Sequence, residues 1–154
     1  MISGLHINTG FTIDKPFMTY HLSPVSKPRM TQRVKWAPST ADLKYFSFKD
    51  ECRALDVKVP KQGARITFVV PMPKSWSKAK AEKMNGKPHE QRPDIDNFLK
   101  ALFDSVYDED SGIYDVWPRK IWGVSGAIVI EDICCLFALA MMENNKLTIE
   151  PEIF

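Results

Sequence analysis

The chain has 154 residues, of which 44% are hydrophobic and 26% charged, and this composition excludes disorder as its main state. The formal net charge is only +2, but residues 1–93 carry 17 Lys and Arg against 7 Asp and Glu, whereas residues 94–154 carry 4 against 12. A basic half beside an acidic cluster indicates a polyanion partner and metal ions at the carboxylates, although two halves that attract one another within the fold would give the same composition.

The length predicts a single domain over residues 1–154, and its first half predicts two short strands, a basic loop, a helix and a longer strand. The two strands fall within residues 5–22, and residues 23–38 form a loop with three prolines. Residues 41–57 predict a helix, and the β-branched run at 64–70 predicts a strand. We expect the core face of the helix to consist of Leu43, Phe46, Cys52 and Leu55.

The second half begins with the most basic segment, residues 74–87, where Ser75 or Ser77 is expected to cap a short helix that Gly86 ends. Residues 97–107 predict a second amphipathic helix, and residues 113–130 predict two strands. The apolar run 133–142 fits a strand or a helix equally well. It is a candidate dimer surface, or alternatively an element of the monomer core.

Membrane insertion and secretion are not expected. The longest apolar stretch, residues 121–142, is interrupted by Glu131 and Asp132, so that neither piece reaches the roughly 18–20 residues of a membrane span. The first residues lack the basic start and apolar run of a signal peptide. The three cysteines lack the spacing of a zinc site, so we predict reduced thiols in a cytoplasmic protein.

The most informative stretch is Arg92-Pro93-Asp94-Ile95-Asp96-Asn97-Phe98-Leu99-Lys100. Asp96 or Asn97 is expected to cap the helix, and an extended segment from Asp94 to Asp96 would point both carboxylates to one side. Lys100 lies one helical turn after Asp96, where it can contact a phosphate. If one of the later carboxylates, from Asp108-Glu109-Asp110 or Asp115, returns toward this pair, the group forms a site for a hard cation and phosphoryl chemistry.

Each of these features also has a plain structural interpretation. Asp96 alone fits a helix cap, Lys100 and Asp104 fit a solvated helix face, and Asp108–Asp110 fits a polar turn. An Asp-x-Asp pair also occurs in glycosyltransferases, but this chain shows no separate nucleotide-binding pattern. An EF-hand is a poor fit, because the glycine of Asp108–Gly112 falls at loop position five instead of six.

Taken in order, the motifs of residues 20–130 resemble those of the RusA-type Holliday-junction resolvases, the crossover junction endodeoxyribonucleases of phages and prophages. The similarity lies in one linked set of motifs. The set comprises Ser26-Lys27-Pro28-Arg29, Lys74-Ser75-Trp76-Ser77, Gly86-Lys87-Pro88-His89, Arg92 to Asp104, Asp108-Glu109-Asp110-Ser111, Arg119-Lys120-Ile121-Trp122-Gly123 and Gly126 to Ile130.

The resemblance implies a small α/β (α+β) domain with a mixed sheet flanked by helices, in which residues 133–154 match no family motif. It implies a homodimer that cuts four-way DNA junctions symmetrically, with Mg²⁺, or Mn²⁺ in its place, as cofactor. Asp94 and Asp96 match the paired metal-binding aspartates and Lys100 the catalytic lysine. Asp110 matches the third aspartate best, with Asp115 as the alternative.

Basic residues of the first half are the predicted DNA contacts, with a solubilising surface as the alternative for each. Trp76 and Trp36 lie among them and could stack on an unpaired base, or else pack in the core. Two other activities stay open, namely a nuclease for flaps or replication forks and a non-catalytic branched-DNA-binding protein. The predicted contacts are Lys27, Arg29, Arg33, Lys74, Trp76, Lys78, Lys80, Lys83 and Lys87.

Overall fold

The computed structural model describes residues 17–29 and 32–147, except for the side chains of Gln32, Arg33, Met142 and residues 144–147. The described residues form a four-stranded mixed sheet and four α-helices, which confirms the predicted α+β fold. The strands are β1 (Phe17–Tyr20), β2 (Ala64–Pro71), β3 (Val116–Gly123) and β4 (Ala127–Asp132). The helices are α1 (Thr40–Ala54), α2 (Lys78–Met84), α3 (Ile95–Val106) and α4 (Ile133–Leu147), and a 3-10 turn covers Gln32–Lys35.

The sheet has the order β1-β4-β2-β3. Strands β2 and β3 are parallel, whereas β4 pairs antiparallel with both β1 and β2. Alternate residues of β2 enter the core, because successive side chains of a strand point to opposite faces. These are Ala64, Ile66 and Phe68, each at most 1% exposed.

Helices α1 and α3 supply the other side of this core. Tyr45, Phe48 and Cys52 of α1 are buried at helical spacing, together with Phe98, Ala101 and Leu102 of α3. The predicted core face of α1 was therefore wrong for Leu43, Phe46 and Leu55, which are 41–56% exposed. The helix is rotated to a second stripe, because the Tyr45 hydroxyl finds a partner in Asp104 and can be buried.

The predicted strands and helices otherwise agree with the structure within a few residues. Ser39 caps α1 in a reciprocal capping box with Asp42, and Ser77 rather than Ser75 caps α2. Residues 133–142 belong to a helix, α4, on which Leu136, Phe137 and Met141 are exposed. The first predicted strand within residues 5–16 lies outside the described residues.

In the part of the chain that the structure describes, no helix combines the length and the apolar character needed to cross a bilayer.

Candidate active site

The carboxylate pair lies at the amino end of α3. Asp94 is the N-cap residue, with φ −70° and ψ 152°, and Asp96 lies in the first helical turn. The expectation that Asp96 or Asn97 caps the helix was therefore wrong, as was that of an extended segment reaching Asp96. Asp94 makes no side-chain capping hydrogen bond, and both aspartates are exposed. Their charges are favoured by the positive end of the helix dipole.

Lys100 lies beside this pair, as the helical spacing predicts. Its Nζ donates a hydrogen bond to Asp96 Oδ2 at 3.0 Å, and the two side chains are 58% and 57% exposed. The hydrogen bond from Lys100 is the main cause that lowers the pKa of Asp96. The carboxylate is therefore ionised at neutral pH and can ligate a cation, while the exposed ammonium can meet a phosphate.

The turn before Asp94 is held by β3. Lys120 Nζ donates to the carbonyl oxygens of Gln91 at 2.6 Å and Pro93 at 2.7 Å. The preceding segment, residues 86–89, pairs with the outer edge of β3. The amide of Gly86 donates to the carbonyl of Trp122, and the amide of Trp122 donates to the carbonyl of Lys87, both at 2.9 Å. The amide of His89 donates to the carbonyl of Lys120 at 3.1 Å.

Asp104 lies two turns after Asp96 on α3, and its side chain is hydrogen-bonded to other parts of the fold. Its Oδ2 accepts hydrogen bonds from Lys27 Nζ at 2.6 Å and from the Tyr45 hydroxyl at 2.7 Å. Burial raises the pKa of Asp104, but the hydrogen bonds from Lys27 and Tyr45 outweigh this effect and the net pKa lies below its usual value. The Lys27 amide also donates to the Asn97 carbonyl at 3.0 Å. The loop that carries Lys27 is thus fastened to α3 at two points.

The two candidates for the third carboxylate lie at the other end of α3. The twelve-residue helix is about 18 Å long, and Asp110 and Asp115 follow its carboxyl end. The Asp115 carbonyl accepts from the amide of Gly63 at 3.0 Å, just before β2, and its Oδ1 accepts from Trp117 Nε1 at 3.1 Å. Asp110 is exposed in the loop between α3 and β3.

Consistent with this separation, no group of three or more His, Cys, Asp or Glu side chains within residues 17–29 and 32–147 is placed to hold one metal ion. One chain therefore does not gather the three carboxylates expected from the sequence. The pair at the amino end of α3 still fits a hard cation, since Mg²⁺ often binds through only one or two carboxylates and takes water and phosphate oxygens as its other ligands.

The basic residues of α2 and its flanks form a solvent-exposed surface on the segment that leads to Asp94. We call these five residues, Lys74, Lys78, Lys80, Lys83 and Lys87, the α2 lysines; all five are exposed. Arg29 is exposed as well, and the side chain of Arg33 lies outside the described part.

The α2 segment is anchored by an aromatic cluster. The rings of Trp76 and Trp122 are 4.8 Å apart, the rings of His89 and Trp122 are 4.1 Å apart, and Lys80 Nζ lies 4.3 Å from the Trp76 ring. His89 is 4% exposed and its Nδ1 has no hydrogen-bond partner among the described residues. Burial is the main cause that lowers its pKa, so His89 is a neutral packing residue at pH 7.

Two residues that shape this site, Lys120 and Tyr45, were not predicted from the sequence to do so. Lys120 appeared within a motif but its acceptors are backbone carbonyls, which leave no mark in the sequence. Tyr45 was not expected to contact Asp104, 59 positions away. The sequence signal was indirect and concerned Asp104, which lies at helical spacing from Asp96 and Lys100. This spacing does not identify the partner of Asp104.

Comparison with protein families matches residues 24–131 to the family described as endodeoxyribonuclease RusA. The match spans more than half of the chain and includes α1 to α3, the sheet strands β2 and β3, and all of the site residues above. A search of curated proteins found no match. The carboxylate pair, Lys100 and the basic α2 segment all fall inside the matched region, and the chain belongs to the RusA family of endodeoxyribonucleases.

Proposed function

We propose that this enzyme is a Mg²⁺-dependent, structure-specific endodeoxyribonuclease that resolves four-way DNA junctions by paired, symmetric cuts. The observation that carries the proposal is the amino end of α3, where two exposed carboxylates lie beside Lys100. Asp94 caps this helix without using its side chain as a cap, so its carboxylate is free for a ligand. The family match supports DNA cleavage as the reaction.

Asp94 and Asp96 would hold the metal ion. A bound Mg²⁺ supplies charge stabilisation at a phosphate and lowers the pKa of bound water. The residues of the chain do the remaining work. The helix dipole and Lys100 keep Asp96 ionised, and Lys100, which is more than half exposed, is available to donate to a phosphate oxygen or to orient the attacking water.

A dimer of two chains would explain both how the enzyme matches the symmetry of the junction and where the third carboxylate comes from. A two-fold dimer presents two equal sites to a junction of approximate two-fold symmetry. Because Asp94 and Asp96 lie at the amino end of α3 whereas Asp110 and Asp115 follow its carboxyl end, we propose that a second copy supplies the third carboxylate. Asp110 is our first choice for it, and Asp115 the alternative. The exposed apolar face of α4 is the proposed dimer surface.

The α2 lysines and Arg29 would bind DNA phosphates. The α2 lysines lie on the segment that leads to Asp94, whereas Arg29 lies in the loop between β1 and α1. A DNA backbone bound by the α2 lysines would thus be held by the same segment that carries the carboxylate pair. Lys27 is different, since its Nζ is 2.6 Å from Asp104. Its predicted DNA contact would require this ion pair to open, whereas its role in fastening the loop to α3 needs no rearrangement.

We propose a cytoplasmic location for this enzyme, where its branched DNA substrates occur.

The decisive experiment incubates the purified protein with a labelled synthetic four-way junction and Mg²⁺, with linear duplex and a flap as controls. Paired cuts at symmetric positions in strands of like polarity are expected on the junction alone. Preferred cutting of the flap would instead indicate a flap or fork nuclease. Junction binding without cutting, at any Mg²⁺ or Mn²⁺ concentration, would indicate a non-catalytic binding protein.

A further inference from the structure

The turn that precedes the carboxylate pair has its carbonyl groups bound by one ammonium. Lys120 projects from β3 and donates to Gln91 O at 2.6 Å and to Pro93 O at 2.7 Å. Lys120 is half-buried, and a lysine ammonium has three donors, so that one cation satisfies both acceptors at once. Hydrogen bonds from a charged donor are stronger than those between neutral groups.

The orientation of Asp94 depends on this turn. An N-cap residue is usually oriented by its own side chain, which accepts from the second or third amide of the helix, but Asp94 makes no such bond. Its direction must therefore come from the backbone on either side. On one side this is α3, and on the other it is Pro93, whose carbonyl Lys120 holds.

The main chain of β3 holds the same segment a few residues earlier. The amide of His89 donates to the carbonyl of Lys120, and the His89 ring packs on Trp122 of the same strand. The segment from 86 to 93 is thus fixed to β3 by backbone pairing at its start and by the Lys120 side chain at its end. Only the second contact reaches the residue adjacent to Asp94.

The geometry points to Lys120 as a positioning residue for the metal ligands: by binding the carbonyls of Gln91 and Pro93, it sets the direction of the Asp94 carboxylate. The inference rests on the proposed function, and Lys120 acts through Asp94 without touching metal or DNA. Residues that orient metal ligands typically change metal affinity or activity by about 10–100-fold when they are replaced. The loss of both hydrogen bonds should therefore appear as weaker metal binding.

The test uses K120M, which keeps the long apolar stem and removes the donors, and K44M as a matched control at an exposed lysine of α1. Mn²⁺ binding is measured directly by electron paramagnetic resonance without DNA, and junction affinity by fluorescence anisotropy without divalent metal. The Mg²⁺ concentration for half-maximal cutting is then determined. For K120M we expect Mn²⁺ affinity to fall and the Mg²⁺ requirement to rise, each about tenfold, with junction affinity within twofold of wild type.

A second comparison shows whether Lys120 acts through Asp94. In an Asp94→Asn background, K120M should cause no further loss of Mn²⁺ affinity, because the ligand that it orients is already gone. Unchanged Mn²⁺ affinity and Mg²⁺ requirement in K120M would overturn the inference, as would weaker junction binding with normal Mn²⁺ binding, which would make Lys120 a DNA contact. If K120M does not fold, K120L, which also lacks donors, is judged by the same measurements. If the wild-type protein binds Mn²⁺ but cuts no branched DNA, the proposed function fails while the Mn²⁺ comparison still decides the role of Lys120.

Discussion

Lys27 Nζ lies 2.6 Å from Asp104 Oδ2 and joins the basic loop after β1 to α3. The Tyr45 hydroxyl donates to the same oxygen at 2.7 Å, so a single carboxylate connects the loop, α1 and α3. Both Lys27 and Asp104 are about two-thirds buried, at 33% and 27% side-chain exposure. Asp104 is therefore a stabilising group of the scaffold on which Asp96 and Lys100 are displayed.

Asp104→Asn is expected to lower the free energy of unfolding by about 1–3 kcal/mol, since the replacement weakens two partly buried hydrogen bonds, one of them charged. Because its hydrogen bonds hold the pKa of Asp104 below the ordinary 3.8 despite burial, this stability is present above pH 3.8 and is lost as pH falls through the lower folded-state value. Urea unfolding should show a constant difference between wild type and variant from pH 5 to 7 that shrinks below pH 3.8. Asp50→Asn, at a residue 77% exposed, is the control and should stay within about 0.5 kcal/mol of wild type.

Asp96→Asn should abolish Mg²⁺-dependent cutting of a four-way junction while junction affinity without metal stays within about twofold of wild type. The substitution removes an ionised carboxylate that we propose as a metal ligand but alters none of the α2 lysines. Gel analysis of the cleavage products and anisotropy measure the two effects separately. Asp50→Asn, also an exposed helical aspartate, should cut normally. Wild-type cleavage by the Asp96→Asn protein would contradict the assignment of Asp96.

Mixing two inactive variants tests whether the site is shared between copies. The Asp96→Asn and Asp110→Asn proteins should each be inactive alone, but in the proposed dimer a mixed pair would contain one site with Asp96 from one chain and Asp110 from the other. If the third carboxylate comes from the second copy, the mixture should recover nicking of a single strand without the paired second cut. The same experiment with Asp115→Asn distinguishes the two candidates. If no mixture recovers nicking although heterodimers form, the third carboxylate does not come from the second copy.

Affinity for the junction should fall steeply with salt, because each phosphate neutralised by a lysine releases condensed counterions. Lys83→Gln and Lys87→Gln should each weaken binding and reduce the slope of log affinity against log salt by about 1. A titration across several salt concentrations gives this slope. Lys44→Gln on α1 serves as the control and should leave the slope unchanged. Unchanged slopes for the α2 variants would argue that these lysines only solubilise the protein.

The two tryptophans of the basic half are expected to behave differently. Trp36 is 82% exposed, whereas Trp76 packs at 4.8 Å against Trp122. Trp36→Ala should leave stability within about 0.5 kcal/mol of wild type and, if the ring stacks on a base, weaken junction binding by about 1–3 kcal/mol. Trp76→Ala should lower the Tm, because it removes a packing partner of the α2 segment. Thermal unfolding and anisotropy on both variants distinguish the two roles, and unchanged affinity for Trp36→Ala would exclude base stacking at that position.

Most of the helices and strands could be predicted from the sequence, because their apolar residues recur at regular spacing. The family could be predicted because each of its motifs is a short continuous stretch of the chain. The rotation of α1 was not predictable in this way, since the burial of Tyr45 depends on an acceptor in α3. The start of α3 was misplaced by two residues, because Asp94 caps through its backbone and not through its side chain.

The candidate site was predicted best where its parts are close in sequence. The contact between Asp96 and Lys100 follows directly from helical spacing. The position of Asp110 and Asp115 could not be obtained in the same way, because it depends on the length of α3 and on where β3 begins beside β2. The contacts of Lys120 were hidden for another reason, since its two acceptors are main-chain atoms whose position only the folded turn defines.

The pairing of residues 86–89 with β3 also limits how two copies of this enzyme can associate. An open strand at the margin of a sheet is a template on which another chain can add, but at the carboxyl end of β3 the amide and carbonyl of Trp122 and the carbonyl of Lys120 are already occupied. A strand from another chain therefore cannot pair with β3 at these backbone groups. Partner recognition at this end of the sheet must rely on side-chain surfaces.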